Sequence, residues 1–122
     1  MFKTKEFGRF ARREKIADRL LCDAIARLER GLIDADLGGG LVKQRIARAG
    51  QGCSGGFRTL LVYRTRARSV FVYGFAKSER GNIEPDELVF WRKLAAAYLA
   101  LSEDAIETAI TSDELMEIYC DG

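Results

Sequence analysis

Residues 41 to 80, LVKQRIARAGQGCSGGFRTLLVYRTRARSVFVYGFAKSER, constrain this chain more than any other stretch. Apolar Val42 and Ile46 alternate with Lys43 and Arg45. Phe57 to Tyr63 and Val70 to Phe75 are crowded with the β-branched and aromatic residues that suit a pleated, half-buried surface. Three strands are therefore expected here. Only a few residues separate Tyr63 from Ser69, too few for a helix, so the second and third strands should form an antiparallel hairpin. Side chains alternate in direction along a strand, which places Lys43 and Arg45 together on one open face and Val42 and Ile46 on the other.

The same stretch carries Lys43, Arg45, Arg48, Arg58, Arg64, Arg66, Arg68, Lys77 and Arg80 against a single acid, Glu79, although the whole chain has a formal net charge of only +2. The compensating acids lie mainly after residue 81. A basic sheet beside an acidic tail points to a polyanionic partner. All nine are candidates to bind it, Arg48, Arg64, Arg66 and Arg68 by charge alone.

The 122 residues suffice for one domain with one core. No apolar run approaches the roughly 20 residues of a membrane span, and MFKTKEFGRF lacks the apolar region of a signal peptide, so a cytoplasmic protein is expected. The chain has no histidine, which removes the usual serine and cysteine triads and the commonest zinc ligand; no metal or cofactor is expected. Cys22, Cys53 and Cys120 are odd in number and widely spaced, and are read as buried or incidental thiols rather than a disulfide framework.

Met1 to Thr4 reads as a short edge strand. Phe7, Phe10 and Ala11 then mark a helix with one apolar side, and a second helix is expected from an Asp18 N-cap to about Arg30, with Gly31 as a left-handed terminator. These two should pair. LIDADLGGG, residues 32 to 40, reads as a flexible connector, and AGQGCSGG, residues 49 to 56, as a glycine-rich hairpin loop that matches no nucleotide-binding fingerprint. Pro85 and the acids around it start a helix running from about Glu84 to Leu101, with Trp91 and Tyr98 on a core-facing stripe. Ser102 caps a shorter acidic helix, and residues 112 to 118 are expected to add a turn or two more.

With the motifs in place, the order strand, helix, helix, then three antiparallel strands bearing LVKQRIA, GGFRTLLVYR and VFVYGFAKSERGNI resembles the RelE/ParE superfamily of bacterial type II toxins, most closely its HigB-type branch. The resemblance covers about residues 1 to 100. It implies an α+β, microbial RNase-like fold, with an N-terminal helix pair packed on a small antiparallel sheet and C-terminal helices after it. Residues 1–101 would form the toxin domain and 102–122 an acidic helical C-terminal extension of the same domain.

The resemblance also implies ribosome-dependent cleavage of messenger RNA and neutralisation by a cognate antitoxin, often a helix-turn-helix DNA-binding protein. By motif position, Lys43 and Arg45 match the basic pair on the first sheet strand of RelE-type toxins, Arg58 matches the arginine after the glycine-rich turn, and Lys77 and Arg80 fall in the basic run after the last strand. RelE has a further arginine where this chain has Ser78, and its catalytic tyrosine has no counterpart among Gly81, Asn82, Ile83 and Glu84.

Arginine suits the implied chemistry, because its planar fork grips phosphate through two hydrogen bonds and stays charged. Lys43, between Arg45 and Arg58, is the candidate for proton transfer, since neighbouring cations disfavour the charged form of a lysine. The alternative reading is a non-catalytic protein on the same fold, either a ParE-type gyrase inhibitor or an RNA-binding module.

Overall fold

The computed structural model describes residues 1–48 and 52–120, apart from the side chains of Arg48 and residues 52–55. The elements, in chain order, are β1 (Phe2–Thr4), α1 (Lys5–Glu14), α2 (Asp18–Glu29), β2 (Ala35–Gly38), β3 (Leu41–Arg48), β4 (Gly52–Tyr63), β5 (Ser69–Ala76), α3 (Pro85–Ala100), α4 (Glu103–Thr111) and β6 (Leu115–Glu117). The architecture is α+β, with the N-terminal helices on a sheet and further helices at the C-terminal end, as expected.

Local chemistry explains most boundaries. Thr4 caps α1 by accepting the Phe7 N–H at 3.1 Å, and the left-handed Lys15 ends that helix. The N-cap of α2 is Ala17 rather than Asp18, which stands one position inside, where its charge favours the positive end of the helix. Its carboxylate also accepts from Lys3 Nζ at 2.8 Å and from the Tyr119 N–H at 3.2 Å. Gly31 does adopt a left-handed conformation, φ +81°, while its N–H and that of Leu32 bond back to Leu28 and Arg27. At the start of α3, Pro85 follows a reciprocal capping box between Glu84 and Glu87.

The sheet is larger than the three strands expected. Its order is β2-β3-β4-β5-β1-β6; β3, β4 and β5 form the antiparallel centre, with the β4–β5 hairpin turning at residues 64 to 68. The short strand β1 is not an edge. It pairs in parallel with β5 and antiparallel with β6, which occupies the segment expected to be helical. Helix α4 cannot continue there because Asp113 turns left-handed at φ 63°, and the chain then crosses back to β1. Residues 32 to 40 likewise hold a strand, β2, and residues 52 to 56 belong to β4; the remainder of the expected glycine-rich loop, 49–51, lies outside the described residues.

Both faces of the sheet are covered. On one, Phe7, Phe10, Leu21, Ala24 and Ile25 of α1 and α2 bury Val42, Ile46, Phe57, Leu61 and Phe71. Each of these side chains larger than alanine contributes about 1.5–3 kcal/mol of transfer free energy. On the other, Ala95, Ile106 and Ala109 of α3 and α4 bury Leu41, Leu60, Val62, Val70 and Val72. Trp91 and Tyr98 pack partly buried against that second layer, as their spacing suggested. The face carrying Lys43 and Arg45 is thus open over only part of its length.

Cys22 and Cys120 form a disulfide, contrary to the reading of the cysteines as incidental thiols. Their 98-residue separation carries no local signal. They meet because β6 returns the chain to β1, after which the Ile118 N–H bonds to Met1 O at 2.8 Å and brings the tail beside α2.

Candidate nucleic-acid interface

Register places the central cations. Lys43 stands opposite Leu60 and Ala35, Arg45 stands opposite Arg58, and Arg58 in turn stands opposite Phe75 on β5. Directly paired residues share a face, so Arg45, Arg58 and Phe75 form one row across three strands spaced about 4.8 Å apart. The row lies beyond the part of this face that buries Leu41, Val62, Val70 and Val72 under α3 and α4. Arg45 retains 47% of its side-chain exposure, against 18% for Lys43 and 7% for Arg58.

An acid missing from the sequence reading joins them. Asp34 lies just ahead of β2, where the glycine-rich context suggested only a connector. Its Oδ1 is 3.0 Å from Arg45 Nε, and its Oδ2 is 3.4 Å from Lys43 Nζ and 3.5 Å from Arg58 Nε. The cation-only neighbourhood expected for Lys43 is therefore corrected: a carboxylate stands inside it.

The position of Asp34 is enforced from below. Its N–H donates to Lys43 O at 3.1 Å, and the buried Gln44 amide donates to Ala24 O and Leu32 O at 3.0 and 2.9 Å. Gln44 thereby ties α2, β3 and the segment leading to Asp34 together. Burial acts to raise the Asp34 pKa, but hydrogen bonds from Arg45 and Lys43, with their charges, outweigh it and hold the carboxyl below its ordinary range.

Arg80 extends the row past Phe75. Its guanidinium carbon is 5.4 Å from the Phe75 ring centroid and 6.0 Å from that of Tyr73. It donates to both carboxylate oxygens of Glu87, at 2.5 and 3.1 Å, to Tyr73 Oη at 3.2 Å and to Asn82 O at 3.1 Å. Hydrogen bonds to Glu87 and then Tyr73 keep Arg80 above the usual arginine range, and the same contact with Arg80 lowers Glu87. The Tyr73 ring stacks on Trp91 with centroids 5.1 Å apart. Lys77 is exposed just past the end of β5, its N–H bonded to Gly56 O at the Arg58 end of the hairpin.

Among the described side chains, Arg64, Arg66 and Arg68 do not join this cluster. Arg64, Arg66 and Arg68 sit at the opposite end of the β4–β5 hairpin, about 20 Å from Arg58 at roughly 3.3 Å per strand residue. Arg66 makes a two-pronged pair with Glu29, at 2.5 and 3.2 Å, which raises the arginine and lowers the glutamate. Arg68 turns inward to donate to Tyr98 O at 2.9 Å, Leu101 O at 2.7 Å and Glu103 at 3.0 Å, satisfying the carbonyls at the end of α3. Arg64 is exposed, and the Arg48 side chain lies outside the described residues. A groove of about 690 Å³ between α1 and α3, lined by Phe10, Tyr73, Phe90 and Trp91, includes none of Lys43, Arg45, Arg58 and Arg80.

Among the described residues no cluster of His, Cys, Asp and Glu could hold a metal ion, and no helix is long and apolar enough to cross a membrane. What the row offers is an array of hydrogen-bond donors, three of them meeting at one carboxylate.

No curated protein matches the chain at a significant level. The family model of the RelE toxin of the RelE/RelB toxin–antitoxin system matches residues 1–118, so the match extends through α4 and β6 and takes in most of the segment read as a C-terminal extension. It speaks for RelE toxins as a whole and does not single out a HigB branch. The chain therefore belongs to the RelE toxin family, the toxin half of a toxin–antitoxin pair whose other half is an antitoxin.

Proposed function

We propose that this toxin is a ribosome-dependent endoribonuclease that cuts messenger RNA and halts translation in the cytoplasm, and that Lys43, Arg45, Arg58, Lys77 and Arg80 form its phosphate-handling face. The observation that carries the reading is the convergence of Lys43, Arg45 and Arg58 on one point of a rigid sheet. Attack of a ribose 2′-hydroxyl on the adjacent phosphorus forms a 2′,3′-cyclic phosphate and breaks the bond to the 5′-oxygen. Negative charge builds on the non-bridging and leaving oxygens. Preorganised cations stabilise that charge without reorganising during the reaction, commonly the largest single contribution to such catalysis.

In this reading Arg58 and Arg45 grip the non-bridging oxygens. Lys43, the one lysine of the three, supplies a proton to the leaving 5′-oxygen, while the 2′-hydroxyl proton passes to solvent. Arg64 and Arg66 would touch RNA only at a distance, through its extended backbone. The partner antitoxin, a helix-turn-helix protein in this proposal, silences the toxin by covering the cationic row or holding it away from the ribosome.

Primer extension on messages from cells briefly expressing the toxin tests this. Discrete cuts positioned by codon, absent when translation is blocked, are expected. Intact messages together with broken DNA would reject the nuclease in favour of a gyrase inhibitor.

A further inference from the structure

We propose that Asp34 is an internal counterion of the cationic row, a positioning residue that orients Lys43, Arg45 and Arg58 and cancels one of their charges in the RNA-free protein. The inference rests on the phosphate-handling reading of that face. A surface evolved only to attract RNA would gain nothing from an acid at its centre, yet Asp34 is among the better-buried carboxylates here, with 12% side-chain exposure. It contacts three cations from two adjacent strands at 3.0 to 3.5 Å. Its place is set independently of those contacts, by its own N–H on Lys43 O and by the Gln44 anchor two residues upstream.

The geometry shows what the acid does. Arg45 uses Nε on Asp34 while its side chain stays half exposed. Asp34 thus engages one donor of a fork that stays open to a phosphate. It also keeps Arg45 and Arg58, directly opposed across the strands, from repelling each other out of position. The same negative charge lies beside any phosphate that binds, so orientation is gained at the expense of ground-state affinity. Interactions that tighten substrate and transition state equally do not speed the chemical step, whereas correct orientation does.

The test compares wild type, Asp34→Asn, Asp34→Glu and Asp36→Asn. Asp36→Asn removes the same charge two residues away, where the carboxylate accepts from the Gly38 N–H. Affinity for a single-stranded RNA oligonucleotide is measured across a salt series, and single-turnover cleavage on programmed ribosomes at saturating protein. Asp34→Asn is expected to bind the oligonucleotide about five-fold tighter or more at low salt. The slope of log affinity against log salt should steepen by about 0.7, one further phosphate contact on a single strand. Its saturated cleavage rate should fall roughly ten-fold or more, giving opposite movements of binding and rate.

Asp34→Glu should keep the wild-type salt slope and recover only part of the rate, and Asp36→Asn should shift both by less than about two-fold. Equal tightening in Asp34→Asn and Asp36→Asn would overturn the proposal, as would an unchanged cleavage rate in Asp34→Asn. If Asp34→Asn does not fold, a changed salt slope in Asp34→Glu overturns it and an unchanged slope with a reduced rate supports it. Should wild type cut no RNA at all, the nuclease reading falls, while the affinity and salt-slope comparison still decides the counterion role.

Discussion

Arg45 and Arg58 face each other directly across β3 and β4, and the carboxylate of Asp34 lies 3.0 Å from one and 3.5 Å from the other. Two like charges opposed on an antiparallel pair normally destabilise it, so their coexistence depends on the acid between them. The same arrangement makes the row sensitive to single substitutions in ways that differ from residue to residue.

Arg58→Ala should reduce single-turnover cleavage on programmed ribosomes by roughly 100-fold or more, comparable to loss of one preorganised transition-state donor. Ribosome binding should weaken only modestly, because other cations remain. Arg58→Lys should recover little of the rate, since a point charge does not reproduce a planar fork. A normal rate for Arg58→Ala at saturating protein would remove it from the active site.

Arg68→Ala and Arg66→Ala should separate structure from chemistry. Arg68 supplies the hydrogen bonds that close α3, so its loss is expected to lower unfolding free energy by about 1–2 kcal/mol in urea titrations. Arg66 pairs with Glu29 in an exposed position and should change stability by less than about 1 kcal/mol. Neither should alter the saturated cleavage rate by more than about three-fold, the rough scale of a peripheral phosphate contact. A loss equal to that of Arg58→Ala would show that the far end of the hairpin reaches the reacting phosphate.

Opening the Cys22–Cys120 disulfide should lower the denaturant midpoint of the oxidised protein. Loop-closure entropy for a crosslink of about 100 residues corresponds to up to about 4–5 kcal/mol, and the observed separation is 98. Cys120→Ser should show the lower midpoint with or without reductant. A wild-type midpoint unmoved by dithiothreitol would mean the bond contributes nothing to stability.

Acid sensitivity follows from Asp34. Its folded-state pKa lies below the ordinary value of 3.8, so its ionised form adds stability fully above about that pH. The contribution disappears as pH falls through the folded value. The stability gap between wild type and Asp34→Asn should therefore be constant near neutrality and narrow progressively below about pH 4. A gap that widened on acidification would mean the carboxylate is less stable in the folded protein than in the unfolded one.

Periodicity and chirality are local properties, and what depends on them was legible in the chain alone. The alternation of Val42, Lys43, Gln44, Arg45 and Ile46 determined β3 and its cationic face, Gly31 marked the end of α2, and Pro85 marked the start of α3. The resemblance in GGFR and YGFAKSERGNI sufficed to name the toxin family that the match over residues 1–118 shows. Pairing between distant segments decided the rest. Three-residue strands such as β1 and β6 are too short to show a period, and they exist because each completes the other's hydrogen bonds. Cys22 and Cys120 became partners only through that pairing. Asp34 reads in the sequence as one acid of a glycine-rich connector; its place among Lys43, Arg45 and Arg58 follows from the β2–β3 pairing and the buried Gln44 amide. Likewise nine cations look alike along the chain. Only the register of β3 on β4, and the ends of α2 and α3, separated those that gather at Asp34 from Arg66 and Arg68, whose charges the fold itself consumes.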